Sequence, residues 1–174
     1  MILAITGTPG TGKTSIAEHL TRNGYETVPL NRILEEHCLM SEYDQSSDSF
    51  IIDSERLAAI VLNHTSLMII EGHLSHFLNC DLIIVLRCNP SVIGMRLVER
   101  GYSDYKVSEN VEAELIDSIL VEALESGLPT YEIDCTHKTV EGVSEAVIQI
   151  INGDGDDYLP GKVNWLEDIG HGDR

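Results

Sequence analysis

Short apolar runs alternate with longer amphipathic stretches along the chain. The runs have the length and near-continuous hydrophobicity of buried parallel strands, and they cover 2–6, 67–70, 82–86, 131–134 and, more weakly, 26–30. The amphipathic stretches repeat their apolar residues at helical spacing and cover 15–22, 54–63, 91–100, 111–125 and 140–151. Strands that alternate with helices predict an α/β fold.

The longest predicted helix, 111–125, has one apolar and one acidic face. The residues expected to face the core are Val111, Leu115, Ile116, Ile119, Leu120 and Leu124. Those expected to face solvent are Glu112, Glu114, Asp117, Glu122 and Glu125. Gly127 and Pro129 should end this helix, while Thr139 is the predicted N-cap of the last helix and Gly153 its end.

Two polar stretches, 41–49 and 101–108, interrupt the alternation and are predicted to be mobile covers over a ligand site. We expect a core over residues 1–153 and a C-terminal tail over 154–174. The tail carries the only tryptophan, Trp165, which either docks on the core, the simpler expectation, or meets a partner. The last five residues are expected to be disordered.

Composition excludes several classes of protein. With 29 acidic and 11 basic residues the net charge is −18, which argues against direct binding to nucleic acid or to anionic membranes. No apolar run approaches the roughly 18 residues of a membrane span, so a cytoplasmic protein is expected. The four cysteines form no C-x-x-C pair, which argues against a zinc knuckle or a disulfide framework.

Residues 7–14 read Gly-Thr-Pro-Gly-Thr-Gly-Lys-Thr and match the P-loop pattern G-x-x-x-x-G-K-[ST] between a strand and a helix. Gly10 and Gly12 let backbone N–H groups wrap a polyphosphate, which the positive end of the helix dipole also attracts. Lys13 is predicted to contact the β- and γ-phosphates and Thr14 to bind Mg²⁺. Ser15 is predicted to lie beside the α-phosphate.

Downstream motifs and chain length indicate which class of P-loop protein this is. Neither the N-K-x-D nor the D-x-x-G motif of GTPases occurs downstream, so GTP hydrolysis is not expected. The length also disfavours motor and AAA types with an extra helical domain, and favours the compact kinases that close two covers over the site.

Ligands of an open parallel sheet bind beyond the carboxyl ends of its strands. Glu71 follows the run 67–70, where P-loop enzymes hold a carboxylate near the metal, usually through water. His73 either orients or deprotonates an attacking water or only hydrogen-bonds a loop carbonyl. For His76 a structural role is the expectation.

Basic residues concentrate in one part of this acidic chain: Arg87, Arg96, Arg100 and Lys106. Arg100 lies at the start of the second polar stretch and is the predicted catalytic arginine, because phosphoryl transfer develops negative charge that an arginine stabilises. For Arg96 and Arg100 the alternative is ion pairing with Glu99 or Asp104.

The segment 29–52 is where an acceptor would bind. Asn31, Arg32 and Arg56 are its candidate contacts. The alternative, that these side chains are simply solvated, is the stronger expectation for each of them.

Together these motifs resemble a known family. The motifs that carry the resemblance are the P-loop, Glu71-Gly72-His73, Val85-Leu86-Arg87 and Arg96-Leu97-x-x-Arg100-Gly101-Tyr102 with Lys106, Glu109, Asn110 and Glu114. They are similar to the motifs of the adenylate kinase isoenzyme 6 family, also called coilin-interacting nuclear ATPase, in its archaeal branch. The resemblance covers about residues 1–151, and the tail around Trp165 resembles archaeal members. Eukaryotic members have Asp in place of Glu71.

The resemblance implies a P-loop NTPase fold of the nucleoside monophosphate kinase type, with a five-stranded parallel sheet and helices on both faces. It implies an acceptor-binding segment at 29–52 and a short lid at 99–109. It also implies ATP and Mg²⁺ as cofactors. Carried over by position, ATP would be bound by Gly10, Gly12, Lys13, Thr14, Ser15 and, from the lid, Arg100.

Two functions stay open at this point, and a third is least expected. The first is transfer of the γ-phosphoryl group of MgATP to AMP. The second, implied by the resemblance, is an ATP-hydrolysing switch in maturation of the small ribosomal subunit that transiently binds a ribosomal protein of the universal S-eleven family. The third is a kinase for a small non-nucleotide acceptor.

Overall fold

The computed structural model describes residues 1–40, 42–44 and 49–166. Its main sheet has five strands in the spatial order β2-β5-β1-β6-β7, and every neighbouring pair is parallel. The strands are β1 (Ile2–Thr6), β2 (Glu26–Pro29), β5 (Met68–Glu71), β6 (Leu82–Arg87) and β7 (Thr130–Asp134). All five coincide with the predicted runs to within two residues, and the α/β fold is confirmed.

Helices cover both faces of this sheet, as predicted. They are α1 (Lys13–Arg22), α2 (Leu30–Glu36), α3 (Ser54–Ala58), α4 (Pro90–Glu99), α5 (Asp104–Leu115), α6 (Ser118–Glu125) and α7 (Val140–Ile151). Side chains alternate along each strand, so Ala4 packs with α2, α3 and α6 on one face, while Leu3 and Ile5 pack with α1 and α7 on the other.

Two short strands, β3 (Glu42–Asp44) and β4 (Ser49–Ile51), pair antiparallel in and just after the polar stretch 41–49. Helix α2, which precedes it, has no counterpart among the predicted helices. Helix α3 is shorter than predicted and ends at Ala58.

The prediction of one helix over 111–125 is wrong. Helix α5 already begins at Asp104, inside the stretch 101–108 that was predicted to be a mobile cover. Ser103 caps it by accepting a hydrogen bond from the backbone of Lys106. The helix ends at Leu115 because Asp117 has the left-handed φ of 58°, and α6 restarts at Ser118.

This break changes which residues are buried. Glu114, predicted to face solvent, is only 3% exposed, whereas Ile116 and Leu124, predicted to face the core, are 64% and 47% exposed. The end of α6 near Gly127 and the cap of α7 by Thr139 are as predicted.

The C-terminal segment returns to the core after α7. A 3-10 turn at Asp156–Tyr158 precedes Trp165, which is only 6% exposed and donates to Glu114 of α5. The expectation of disorder for the last five residues lies outside the described residues, and the division of the chain at residue 153 stays a prediction. Among the described residues no helix is both long and apolar enough to cross a membrane.

Candidate active site

The P-loop joins β1 to α1 at the carboxyl edge of the sheet. Gly7, at φ 136°, passes so close to β6 that a Cβ atom would lie 2.3 Å from the carbonyl oxygen of Leu86. Gly10 and Gly12 also have positive φ, 96° and 102°, and Gly12 directly precedes the first residue of α1. The loop therefore needs glycine at these positions for backbone geometry, as the motif predicted.

Lys13 folds back over this loop. Its Nζ donates to the carbonyl oxygens of Gly7, at 2.6 Å, and Thr8, at 3.0 Å. Burial lowers the pKa of Lys13 to about 8, opposed by the carboxylates of Glu71 and Glu114. A polyphosphate in the loop would compete with these carbonyl oxygens for the ammonium group.

A cavity of about 250 Å³ opens above Lys13, and we call it the phosphate cavity. It brings together every residue of the predicted site: Gly10, Gly12, Lys13, Thr14, Ser15, Glu71, His73 and Arg100. Asn31 and Tyr102 line it as well. The eight positions were inferred from three separate parts of the sequence, and the fold places them around one space.

Thr14 and Glu71 offer oxygen ligands of the kind that Mg²⁺ prefers. Thr14 Oγ1 lies 3.5 Å from each carboxylate oxygen of Glu71. Burial raises the pKa of Glu71, while the charge of Lys13 and the hydroxyl of Thr14 act in the opposite direction. One hydroxyl and one carboxylate fit an ion that keeps waters and substrate phosphates as its other ligands.

His73 and His76 have different surroundings. Desolvation in the cleft, together with the charges of Lys13 and His76, lowers the pKa of His73 to about 4. His73 is therefore neutral at pH 7. His76 is 3% exposed, and its ring nitrogens contact Thr6 Oγ1 at 3.0 Å and Glu122 at 3.1 Å, so its structural role is confirmed.

The basic residues split into different roles. Arg100 lines the phosphate cavity, whereas Arg96 donates to the carbonyl oxygen of Gly10 at 2.9 Å instead of pairing with Glu99 or Asp104. Arg87 is 1% exposed. Although Arg87 belongs to the basic residues concentrated in this part of the sequence, its guanidinium is enclosed by carboxylates that neutralise it.

Two larger cavities flank the phosphate cavity. A cavity of about 490 Å³ lies between the P-loop, Arg96 and the start of α7 and includes Lys138 and Thr139. Another, of about 550 Å³, lies between Asn31, His73 and α5 and includes Lys106 and Asn110. We call them the α7 cavity and the α5 cavity.

Of the three candidate acceptor contacts, only Asn31 lies at these cavities. Asn31 lines both the phosphate cavity and the α5 cavity. Arg32 instead pairs with Glu36 at 2.8 Å on the exposed side of α2, and Arg56 is exposed and lines none of the three cavities. For these two arginines the solvated alternative holds.

One group of residues has no counterpart in the sequence analysis. Glu114, Asp117 and Glu132 all pair with the guanidinium of Arg87, and Trp165 donates to Glu114. Glu114 also accepts from Thr8 of the P-loop at 2.6 Å. The alternation of apolar and acidic residues along 111–125 placed Glu112 and Glu114 on the same solvated face. The family resemblance includes Glu114 among its motif residues but implies no buried role for it.

Known proteins are similar to this chain in sequence and in fold. The chain is 47% identical to a protein of Archaeoglobus fulgidus named "Putative adenylate kinase" over 173 residues, 97% of this chain and 94% of the relative. A Thermococcus gammatolerans protein of the same name is 44% identical over 176 residues, 96% of this chain and 94% of the relative. The chain belongs to this adenylate kinase-like family. Residues 3–117 also match the AAA domain family, which corrects the exclusion of AAA proteins on length.

Solved structures confirm the P-loop kinase fold of this family member. Deoxyadenosine kinase from M. mycoides, bound to dCMP and dCDP, superposes with a TM-score of 0.53 at 15% identity, over 88% of this chain and 99% of that one. Shikimate kinase from Acinetobacter baumannii, bound to shikimate, gives a TM-score of 0.59 at 12% identity, over 88% and 93% of the two chains.

Proposed function

We propose that this protein is an adenylate kinase that transfers the γ-phosphoryl group of MgATP to AMP. One observation carries the proposal: the phosphate cavity lies between two cavities that are each large enough for a nucleoside. It shares Gly10, Gly12, Ser15 and Arg100 with the α7 cavity, and Pro9, Asn31, His73 and Tyr102 with the α5 cavity. Hydrolysis alone needs one nucleoside site, whereas transfer between nucleotides needs two.

The two cavities differ in what they offer. The α7 cavity adjoins the first turn of α1 and the P-loop amides, which suits the donor triphosphate. The α5 cavity adjoins Asn31 in the predicted acceptor segment, which suits the acceptor. In this arrangement the triphosphate of ATP and the phosphate group of AMP meet at Lys13.

The residues of the phosphate cavity have complementary tasks. Lys13 and Arg100 would neutralise the charge that develops on the transferred group, and bound Mg²⁺, held by Thr14 and Glu71, would add positive charge at the β- and γ-phosphates. The phosphate of AMP is already largely ionised at pH 7 and attacks without a general base. Transfer therefore depends mainly on position and charge.

A coupled assay tests the proposal. Wild-type protein should form ADP from ATP plus AMP, and Lys13→Ala should lower that rate about a hundredfold or more. The control is Arg22→Ala, since Arg22 is an exposed cation at the end of α1 and lines none of the three cavities. ATP binding without AMP-dependent turnover would contradict the proposal.

A second candidate function is ATP hydrolysis, and the neutral His73 beside Lys13 favours it. Water, unlike AMP, must lose a proton as it attacks, and a neutral imidazole at the phosphate cavity is able to accept it. His73→Asn should therefore lower hydrolysis by about tenfold to a hundredfold but AMP-dependent transfer by less than about threefold. The exposed His64→Asn serves as the control, and equal loss of both activities would contradict this role.

The assignment to the isoenzyme 6 branch adds a partner to this second candidate. The proposed partner is the basic ribosomal protein of the universal S-eleven family on the small ribosomal subunit. A net charge of −18 supports rapid encounter with such a protein. Pull-down with the purified ribosomal protein, in the presence and absence of ATP, tests this proposal, and no binding in either condition would contradict it.

A further inference from the structure

A buried ionic cluster joins the P-loop to the C-terminal tail. Within the described residues it surrounds Arg87, whose Nε and Nη1 donate to Glu114 at 2.7 Å and Glu132 at 2.6 Å, with Asp117 pairing at Nη2. Glu114 and Glu132 are 3% and 5% exposed. One guanidinium cannot compensate three carboxylates, so the cluster needs further hydrogen-bond donors.

Besides the backbone amide of Cys88, which donates to Glu114 at 3.2 Å, two distant parts of the chain supply donors. The tail supplies the backbone amides of Gly161 and Lys162 to Glu132, at 2.9 and 3.3 Å, and the indole Nε1 of Trp165 to Glu114 Oε1 at 3.1 Å. The P-loop supplies the Thr8 hydroxyl to Glu114 Oε2 at 2.6 Å. One oxygen of the Glu114 carboxylate therefore accepts from the tail and the other from the P-loop, so this side chain connects the two segments.

Thr8 carries this connection to the lysine of the phosphate cavity. Its hydroxyl donates to Glu114, and its carbonyl oxygen accepts from Lys13 Nζ at 3.0 Å and from Thr11 Oγ1 at 2.9 Å. A chain of four residues thus runs from Trp165 through Glu114 and Thr8 to Lys13. Rotation of Thr8 would displace the carbonyl group that Lys13 contacts.

We propose that Glu114 and Trp165 are positioning residues for nucleotide binding, and that the tail segment 161–166 completes the P-loop. Trp165 fixes the carboxylate of Glu114, which in turn fixes Thr8 and the loop that receives the phosphates. Glu114 also lies in the last turn of α5, the helix that begins inside the predicted lid. The inference rests on the proposed function only in that the P-loop binds a nucleoside triphosphate.

Trp165 itself reports on this connection, because it is the only tryptophan of the chain. If Lys13 leaves Thr8 for a phosphate, the contacts of Glu114 change, and titration of wild-type protein with MgATP should change the tryptophan emission with the same midpoint as calorimetry. Binding seen by calorimetry with unchanged emission would overturn this inference alone. No binding of ATP to wild-type protein would overturn the proposed function and this inference with it. This measurement needs no variant.

Variants separate positioning from stability. Thr8→Val keeps the side-chain shape but removes the hydroxyl, and it should weaken ATP affinity about tenfold and abolish the emission change. Trp165→Phe removes the indole N–H and should weaken affinity about threefold in the wild-type background, with no further loss in the Thr8→Val background, since its effect passes through Thr8.

The matched control is Tyr158→Phe, which removes a different hydrogen bond of the tail, from Tyr158 to Gln149 at 2.7 Å. It should change ATP affinity less than about twofold. Additive losses in the double variant, or a lower melting temperature in Trp165→Phe with unchanged affinity, would make the cluster a purely structural element and overturn the inference.

Discussion

At the scale of single residues, surroundings decide what an ionisable side chain does. Glu112 and Glu114 are two positions apart on α5, yet Glu112 is exposed and Glu114 is buried against a guanidinium, an indole and a threonine hydroxyl. Lys13 and Lys162 both donate to backbone carbonyl oxygens, but only Lys13 lines the phosphate cavity, where burial lowers its pKa. The type of residue alone does not determine these roles.

The pKa of Lys13 predicts how the proposed reaction depends on pH. Burial lowers that pKa to about 8, so the free protein loses the Lys13 charge as pH rises through about 8. Because kcat/KM reports the free enzyme, kcat/KM for ATP should fall about tenfold per pH unit above that value, whereas bound phosphates hold the proton and kcat should change less. Initial rates between pH 6 and 10 measure this.

Lys13→Arg is the control for that assignment, because a guanidinium keeps its charge throughout the range. The alkaline decline should disappear in this variant even if its activity is lower. A decline of kcat/KM that persists unchanged in Lys13→Arg would assign the titration to another group.

At the scale of elements, close packing of the P-loop against β6 fixes the position of the phosphate cavity. Gly7 allows the end of β1 to pass within van der Waals contact of the backbone at Leu86, and α1 starts only six residues later. The same sheet edge also carries Glu71 at the end of β5. The cavity is therefore a property of three neighbouring strand ends.

Gly7→Ala should destabilise this junction strongly. The new Cβ would lie 2.3 Å from a backbone oxygen at a φ of 136°, so we expect a loss of about 3 kcal/mol or more in the free energy of unfolding. Gly24→Ala is the control, since Gly24 has a φ of 90° but no atom near the added methyl group, and it should cost about 1 kcal/mol. Urea denaturation measures both, and equal losses would show that backbone strain alone, without the close approach, decides the effect.

At the scale of the whole molecule, a net charge of −18 on 174 residues opposes the compact state through repulsion. Salt screens this repulsion, so the melting temperature at pH 7.5 should rise by about 3–6 °C between low salt and 0.3 M KCl. The pI of about 4.5 provides an internal control, because the increase should be much smaller near that pH. Calorimetry at the two pH values tests this, and a fall in melting temperature with salt would contradict it.

Features encoded by consecutive residues were predictable from the sequence. The strands were found because a buried parallel strand is a short continuous apolar run, and the P-loop was found because its glycines and lysine are needed at fixed spacing. Strand ends meet at one edge of a parallel sheet, so the sequence by itself places Glu71 and His73 near Lys13.

Only the tertiary structure decided the break at Asp117, the role of Arg87 and the burial of Glu114. Each depends on partners far away in the chain, such as Thr8 and Trp165, which are 106 and 51 residues from Glu114. A carboxylate is stable in the interior only where such donors converge, and an acidic residue on a helix shows no local sign of them. The sequence therefore determined where the phosphates would bind, and the folded chain determined what holds that loop in place.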